Sequence, residues 1–111
     1  MTDQEYRQRV QAAFDHIVTA FDEIDPDEAE CEEGHGFVTI IDRGGNRIVV
    51  SPQPPVHQIW VAAASRGMGI HFDWDESSGR WLDDKAEGME LYGFIAETLK
   101  QAIGLDLVYA E

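Results

Sequence analysis

Residues 22–33 form the most concentrated acidic segment of the sequence, DEIDPDEAECEE, in which eight of twelve residues are Asp or Glu and none is Lys or Arg. Two like charges about 4 Å apart repel by about 1 kcal/mol in water, so this segment opposes folding. Carboxylate oxygens are the ligands that hard cations such as Ca²⁺, Mg²⁺, Mn²⁺ and iron prefer. We therefore interpret the segment as a site for a cation or a basic protein, with a solvated, solubilising face as the alternative.

The spacing of these acids does not match a tight metal cage. An EF-hand loop needs a glycine and a closing glutamate at fixed offsets, and this segment lacks both. Metal binding should then be weak, multiple and partly hydrated. We expect Cys31 to be a small buried hydrophobe, and the four histidines share no ligand spacing that would indicate zinc.

The overall charge restricts the class of partner. The 111-residue chain has 22 acids against 8 Lys and Arg, a net charge of -14, and residues 1–33 hold 11 of the acids. Nucleic acid and anionic membranes require a positive protein surface, so we expect neither as a partner. One cysteine cannot form an internal disulfide or hold a cluster, and the sequence has no apolar leader or long apolar run. We therefore expect a cytoplasmic protein.

Hydrophobic periodicity predicts one helix near each end of the chain. Apolar side chains recur at steps of three or four over Tyr6–Ile24, and Pro26 marks the end of that helix. A second helix is predicted over Met89–Ile103, with Gly104 as its C-terminal cap. The tail, Leu105–Glu111, is expected to pack across the helices.

Between the helices, short runs rich in Val, Ile, Phe and Trp are separated by turn-forming residues, which predicts strands. Their connections are too short for crossover helices, so neighbours should pair antiparallel, with turns at Gly44-Gly45-Asn46 and Ser77-Ser78-Gly79. The cluster Pro52, Pro54 and Pro55 is expected at a bend or an edge. The predicted strands are Glu28–Glu33, Gly36–Asp42, Arg47–Ser51, His57–Ala63, Gly69–Trp74 and Arg80–Asp83.

These elements predict a single α+β domain over residues 1–111. We expect a two-layer α/β sandwich with both terminal helices on one face of an antiparallel sheet of about six strands. The other face is left to solvent, although Trp60, Trp74 and Trp81 make the strand region unusually aromatic. The pattern alone lets Trp60 lie in the core or on the open face, whereas the other two are expected to be structural.

Three aromatic segments follow one another in a distinctive order. They are Pro55-Val56-His57-Gln58-Ile59-Trp60, then Gly69-Ile70-His71-Phe72-Asp73-Trp74, then Trp81, preceded by an acidic helix end, a Cys-containing strand and a Gly-rich hairpin. With this order and spacing, residues 3–104 resemble the bacterial frataxin (CyaY) family. The resemblance implies the same sandwich, weak surface binding of Fe²⁺ and Fe³⁺, with other divalent cations as alternatives, and a monomer in the absence of iron. It also implies docking on the cysteine desulfurase and the iron–sulfur scaffold complex, with no catalytic residues.

The resemblance further implies two sets of site residues. Asp22 and Glu23 would serve both metal and partner, and Trp60 would be exposed. The chain departs from the common family pattern at Val18, Thr19, Ser51 and His71, so partner recognition should differ in detail. The metal set, named the acidic ridge below, is Asp22, Glu23, Asp25, Asp27, Glu28, Glu30 and Glu32. The remaining partner-binding residues, named the sheet-face site, are Gln53, Gln58, Trp60 and His71.

Our leading hypothesis is a non-enzymatic, iron-binding regulator of iron–sulfur cluster assembly that acts as an iron donor or sensor. One alternative is a weak iron-oxidising (ferroxidase-like) enzyme or a metal-dependent hydrolase, which would need an enclosed site of fixed geometry. Another is a metal-independent acidic adaptor for a basic protein. The adaptor would bind its partner in a salt-sensitive manner and would not respond to iron.

Overall fold

Both helices form, each with a recognisable cap. In the computed structural model, which describes residues 1–110, helix α1 spans Asp3–Thr19 and helix α2 spans Leu91–Ile103. The Thr2 hydroxyl accepts from the Glu5 amide and the Glu5 carboxylate accepts from the Thr2 amide, which satisfies the start of α1. Gly104 ends α2 with φ of 70°, a left-handed conformation that glycine adopts without a steric penalty.

Helix α1 is shorter than the periodicity predicts. It ends at Thr19, and the amides of Phe21, Asp22 and Ile24 then each donate to the carbonyl three residues earlier, which makes tight turns. Asp22 and Glu23 therefore lie in a turn beyond the helix, not on its last turn. The predicted apolar stripe is nevertheless buried as far as Phe21, with the members Tyr6, Val10, Phe14 and Ile17.

Six strands form one antiparallel meander in the order β1-β2-β3-β4-β5-β6. Every pair of neighbours in sequence is also a pair of neighbours in space, as short connections require. The strands are β1 Ala29–Gly34, β2 Phe37–Asp42, β3 Arg47–Gln53, β4 Gln58–Ala63, β5 Met68–Asp75 and β6 Arg80–Asp83. The predicted two-layer α+β sandwich with a six-stranded sheet is confirmed.

Two details at the β3–β4 connection differ from the prediction. His57 is not in β4: it has φ of 51° and ends a single-turn 3₁₀-helix, Pro54–Val56. Pro52 lies inside β3, opposite Ile59 of β4. The strand tolerates this proline because β2 pairs with β3 only as far as Val50, so β3 has a free edge beyond that residue.

The core lies between the helices and one face of the sheet. Alternate residues of the central strands point to that face, as the two-residue period of a strand requires. Trp81 is 2% exposed and meets Trp74 edge-to-face at 5.5 Å, so both pack on the helix side of the sheet and have the structural role expected of them. The core residues of the sheet include Val38, Ile40, Ile48, Val50, Ile59, Val61 and Phe72.

The C-terminal tail closes over both helices. Leu107 is buried, and the Tyr109 ring stacks on His16 of α1 at 5.1 Å. The Tyr109 hydroxyl donates to the Tyr92 carbonyl of α2 at 3.0 Å, and burial raises the pKa of Tyr109 well above its usual value. The predicted packing of the tail is therefore confirmed at Leu107 and Tyr109, while Val108 points to solvent and Glu111 lies outside the described residues.

Candidate functional site

The acidic ridge runs from the turns after α1 into strand β1. Its members are exposed, except that Glu28 is half-buried. On β1, Glu30 and Glu32 point to solvent while Cys31 between them turns toward the core, as the predicted alternation requires. Since β1 is the first strand of the sheet, the ridge lines one edge of the molecule.

One ridge carboxylate is neutralised by a residue that the sequence analysis missed. Arg43 forms an ion pair with Glu28, its amide donates to the Glu28 carbonyl at 2.8 Å, and its Nη2 donates to the Ile103 carbonyl at 3.0 Å. Arg43 thereby ties the ridge to the end of α2. The pairing of Ala29 with Asp42 puts these residues opposite each other, so a correct β1–β2 register could have revealed the contact. Among residues 1–110, no other ridge carboxylate has an ion-pair partner.

The ridge fits a loosely held, hydrated cation and not a tight cage. Within the described part of the chain, no three His, Cys, Asp or Glu side chains converge in a way that could hold a metal ion. The Asp25 carboxylate already accepts from the Asp27 amide at 2.9 Å. The donors are all hard oxygens, which suits iron or another divalent cation with much of its hydration shell retained.

Cys31 is a packing residue beneath the ridge. Burial, followed by the charge of Glu33, raises the pKa of the Cys31 thiol to about 12. The thiolate is the form that ligates metals and reacts, so at neutral pH this thiol is unsuited to both. The side chain is half-buried and packs against the core, in line with the small hydrophobe that the sequence predicts.

The sheet-face site is assembled by the register of β3, β4 and β5. Gln53 pairs with Gln58, and Trp60 pairs with His71, which brings all four onto the open face of the sheet. The Trp60 and His71 rings stack at 4.1 Å with an interplanar angle of 11°. The Trp60 Nε1–H donates to the Gln58 Oε1 at 2.8 Å. Trp60 is thus half-buried on the open face, not in the core, and its ring is held in one orientation.

Two carboxylates that the sequence analysis did not include complete this surface. Gln58 Nε2 donates to Asp73 Oδ1 at 3.0 Å and to Asp84 Oδ2 at 3.3 Å. His71 Nδ1 lies 3.5 Å from the same Asp84 oxygen. The Asp73 contact follows from its register opposite Gln58, whereas Asp84 comes after β6 in a loop whose path the pattern does not reveal. The aromatic pair is therefore bordered by negative charge.

Tyr6 anchors the sheet-face site to helix α1. Its hydroxyl donates to the Gln58 carbonyl at 2.6 Å and accepts from the Gln53 amide at 2.9 Å. His57 stacks on the Tyr6 ring at 4.9 Å, and His57 Nε2 lies 2.7 Å from Asp3 Oδ1. Two backbone positions of the site are consequently fixed by one buried side chain from the opposite layer.

The fold and these surfaces together define a class of protein. The exposed acidic edge and the polar, aromatic sheet face are both open to solvent and are candidate binding surfaces. No helix within residues 1–110 combines the length and apolarity needed to cross a membrane. The molecule is thus an acidic α+β protein with two separate candidate binding surfaces, one on the β1 edge and one on β3–β5.

Comparison with known proteins identifies the family. The chain belongs to the frataxin-like family, whose domain model matches residues 1–105. It is 36% identical to the iron-sulfur cluster assembly protein CyaY of Tolumonas auensis over 104 residues, 94% of each chain. The frataxin-like resemblance is confirmed, and the relatives that match are named as iron-sulfur cluster assembly proteins.

Solved structures show the same fold. Frataxin from Psychromonas ingrahamii superposes with a TM-score of 0.87 at 22% identity and full coverage of both chains. Trimeric frataxin from the yeast Saccharomyces cerevisiae, in its complex with ferrous, superposes with a TM-score of 0.62 at 25% identity. That match covers 93% of this chain and 86% of the yeast chain.

Proposed function

We propose that this chain acts in iron–sulfur cluster assembly as an iron-binding regulator that docks on a cysteine desulfurase and its scaffold complex. The observation that carries the proposal is the acidic ridge: seven carboxylates along one edge, of which Glu28 alone, among residues 1–110, is paired with a base. Two comparisons support the proposal: several relatives are named as iron-sulfur cluster assembly proteins, and yeast frataxin has been crystallised in a complex with ferrous.

The iron-binding part rests on the chemistry and exposure of the ridge. Its open carboxylate oxygens attract Fe²⁺ or Fe³⁺ while leaving most of the ion's hydration in place. Such binding is weak and readily reversed, which suits a protein that gives up iron or senses its concentration. The scattered geometry gives no support to a fixed iron-oxidising centre among the described residues.

The docking part rests on charge and on the sheet-face site. A negative edge accelerates encounter with a basic surface and makes the complex sensitive to salt. Trp60 then supplies a large, oriented aromatic group of the kind that often dominates an interface. Because the two surfaces lie on different strands, one can contact the desulfurase while the other contacts the scaffold.

Iron binding can be tested by following backbone amide shifts during anaerobic titration with Fe²⁺. We expect selective broadening or shifts over residues 22–33, and Asp22→Asn with Glu23→Gln should reduce them. The matched control is Glu5→Gln with Glu76→Gln, which also removes two negative charges. Glu5 lies in the first turn of α1, and Glu76 forms an ion pair with Arg9 of the same helix. Gln keeps the capping box at position 5. If both double variants show the same amide shifts on titration with Fe²⁺, the ridge does not bind the metal.

The same variants test docking. We expect Asp22→Asn with Glu23→Gln to weaken desulfurase binding by about 1 kcal/mol, or roughly fivefold, since exposed charge pairs contribute up to about 1 kcal/mol each. The control pair should retain affinity. An iron-independent complex that both variants leave intact would contradict the proposal, whereas salt-sensitive binding with no amide response to iron would instead indicate the acidic adaptor.

A further inference from the structure

Within residues 1–110, half of strand β5 has no partner strand on the side where β6 lies. Strand β4 pairs with β5 from Met68 onward, but β6 pairs with it only from Phe72 to Asp75. The Asp84 amide extends the pairing by one bond, to the His71 carbonyl at 2.9 Å. The chain then turns away through Ala86, which has φ of 56°. An open strand edge therefore remains along Met68–His71.

Strand geometry identifies the free groups on this edge. The N–H and C=O of one residue point to the same side of a strand, and successive residues alternate sides. Because the His71 carbonyl bonds Asp84, the His71 N–H and both polar groups of Gly69 face the same open side. No backbone bond from residues 85–90 reaches these three groups. They form a donor, acceptor, donor series that another extended backbone can match.

A groove runs along the open edge. It has a volume of about 360 Å³ and lies between β5 and the loop that follows β6. Three partly buried apolar side chains line it, together with four charged side chains. The apolar residues are Met68, Ile70 and Met89, and the charged ones are Asp83, Asp84, Lys85 and Glu87.

We propose that this edge groove binds an extended, basic segment of a partner protein, which adds to β5 as a further strand. The added strand supplies hydrogen-bond partners for the free backbone groups of Gly69 and His71. The apolar lining of the groove accepts alternate side chains of that strand. At about 3.3 Å per residue, the Gly69–His71 edge accommodates a segment of about three residues.

Charge decides between a basic partner and a second copy of this chain. Asp84 and Glu87 outweigh Lys85 at the rim, so the groove favours basic side chains on the strand it receives. Two copies of this chain, each with a net charge of -14, would repel each other. Edge-to-edge pairing of two copies is thereby opposed, which is a usual protection of exposed strand edges.

This inference is independent of the acidic ridge. Strand β5 and the ridge-bearing strand β1 are separated by β2, β3 and β4. Failure of iron binding or of desulfurase docking through residues 22–33 would leave the groove unaffected, and loss of the groove would leave the ridge intact. The two proposals can therefore fail separately.

The test is an amide-shift titration of the full chain with the peptide acetyl-Lys-Val-Lys-Val-Lys-amide. We expect saturable shifts at Met68–His71 and Met89, with the Gly69 and His71 amides moving downfield as they form new hydrogen bonds. At a peptide concentration ten times the Kd, hydrogen exchange of these two amides should slow about tenfold. The matching peptide with Glu in place of Lys should bind at least fivefold more weakly.

Variants separate the groove from general charge attraction. Glu87→Lys should weaken the basic peptide several-fold, while Glu97→Lys, the same charge change on the exposed side of α2, should have a smaller effect. Gly69→Pro removes one of the two free donors and should reduce the downfield shift of the remaining one, the His71 amide. The Glu87→Lys and Glu97→Lys pair decides the question even if the proline variant does not fold.

Three results would overturn the proposal. The first is peptide-induced shifts confined to residues 22–33, which would show attraction to the ridge alone. The second is equal binding of the acidic and basic peptides. The third is concentration-dependent dimerisation, without peptide, that shifts the same β5 amides, because a second copy would then be the occupant.

Discussion

Replacing Tyr6 by Phe removes one hydroxyl and two hydrogen bonds that join the helix layer to the sheet-face site. The hydroxyl donates to the Gln58 carbonyl at 2.6 Å and accepts from the Gln53 amide at 2.9 Å. Each such bond contributes about 1 kcal/mol net to stability. Phe preserves the packing of a ring that is 2% exposed, so hydrogen bonding is the main change. We expect the free energy of unfolding to fall by about 2 kcal/mol.

The loss should be measurable by urea denaturation and by heating. For a domain of about this size, each 1 kcal/mol lowers Tm by about 4–6 °C, so Tyr6→Phe should lower it by roughly 8–12 °C. The slope of the denaturation curve should stay unchanged, because the native surface area changes little. The Gln53 amide, which loses its acceptor, should also exchange faster than in the wild type.

The other tyrosines of the C-terminal half provide a graded control. Tyr109→Phe removes one hydrogen bond, to the Tyr92 carbonyl at 3.0 Å, and should cost about 1 kcal/mol. Tyr92→Phe should cost the least, because its hydroxyl makes no hydrogen bond within residues 1–110. An order other than Tyr6, Tyr109, Tyr92, or a Tyr6→Phe effect below about 0.5 kcal/mol, would refute the bridging role.

Three further predictions concern the ridge, the sheet face and the loop after β6. Burial raises the pKa of the Cys31 thiol to about 12. Cys31 should therefore react with iodoacetamide at pH 8 roughly a thousandfold more slowly than free cysteine, and comparable rates would contradict its packing. Trp60→Ala should weaken scaffold binding by about 2 kcal/mol in calorimetry while changing stability by less than about 1 kcal/mol; the opposite pattern would make Trp60 a folding residue. Asp83 accepts from the amides of Glu87 and Met89, which hold its pKa below the usual value. Its contribution to stability should therefore be present above about pH 4, be lost as pH falls through the lowered pKa, and be absent from Asp83→Asn at every pH.

The sequence was sufficient where periodicity determines structure. The stripe from Tyr6 to Phe21 and the short strand connections lead to one arrangement of helices and sheet, because few topologies satisfy both. Alternation on β1 also places Glu30 and Glu32 outward and Cys31 inward. These features depend on local pattern alone.

The errors and omissions have two origins. The helix end at Thr19 depends on tight local turns that keep Phe21 in the core, and apolar spacing does not distinguish these turns from a helix. The Glu28–Arg43 ion pair depends on strand register, and the Asp84 contact to Gln58 depends on a loop path. Pairing information beyond one strand was needed for these two contacts.

Coupling of iron to cluster assembly through the ridge can be tested by one reconstitution. Cluster formation on a scaffold protein with its desulfurase is followed at several iron concentrations, with the wild type, with Asp22→Asn plus Glu23→Gln, and with the control Glu5→Gln plus Glu76→Gln. We expect the wild type and the control to change the assembly rate alike, in an iron-dependent manner, and the ridge variant to have a smaller effect. Equal effects of all three proteins at every iron concentration would contradict it.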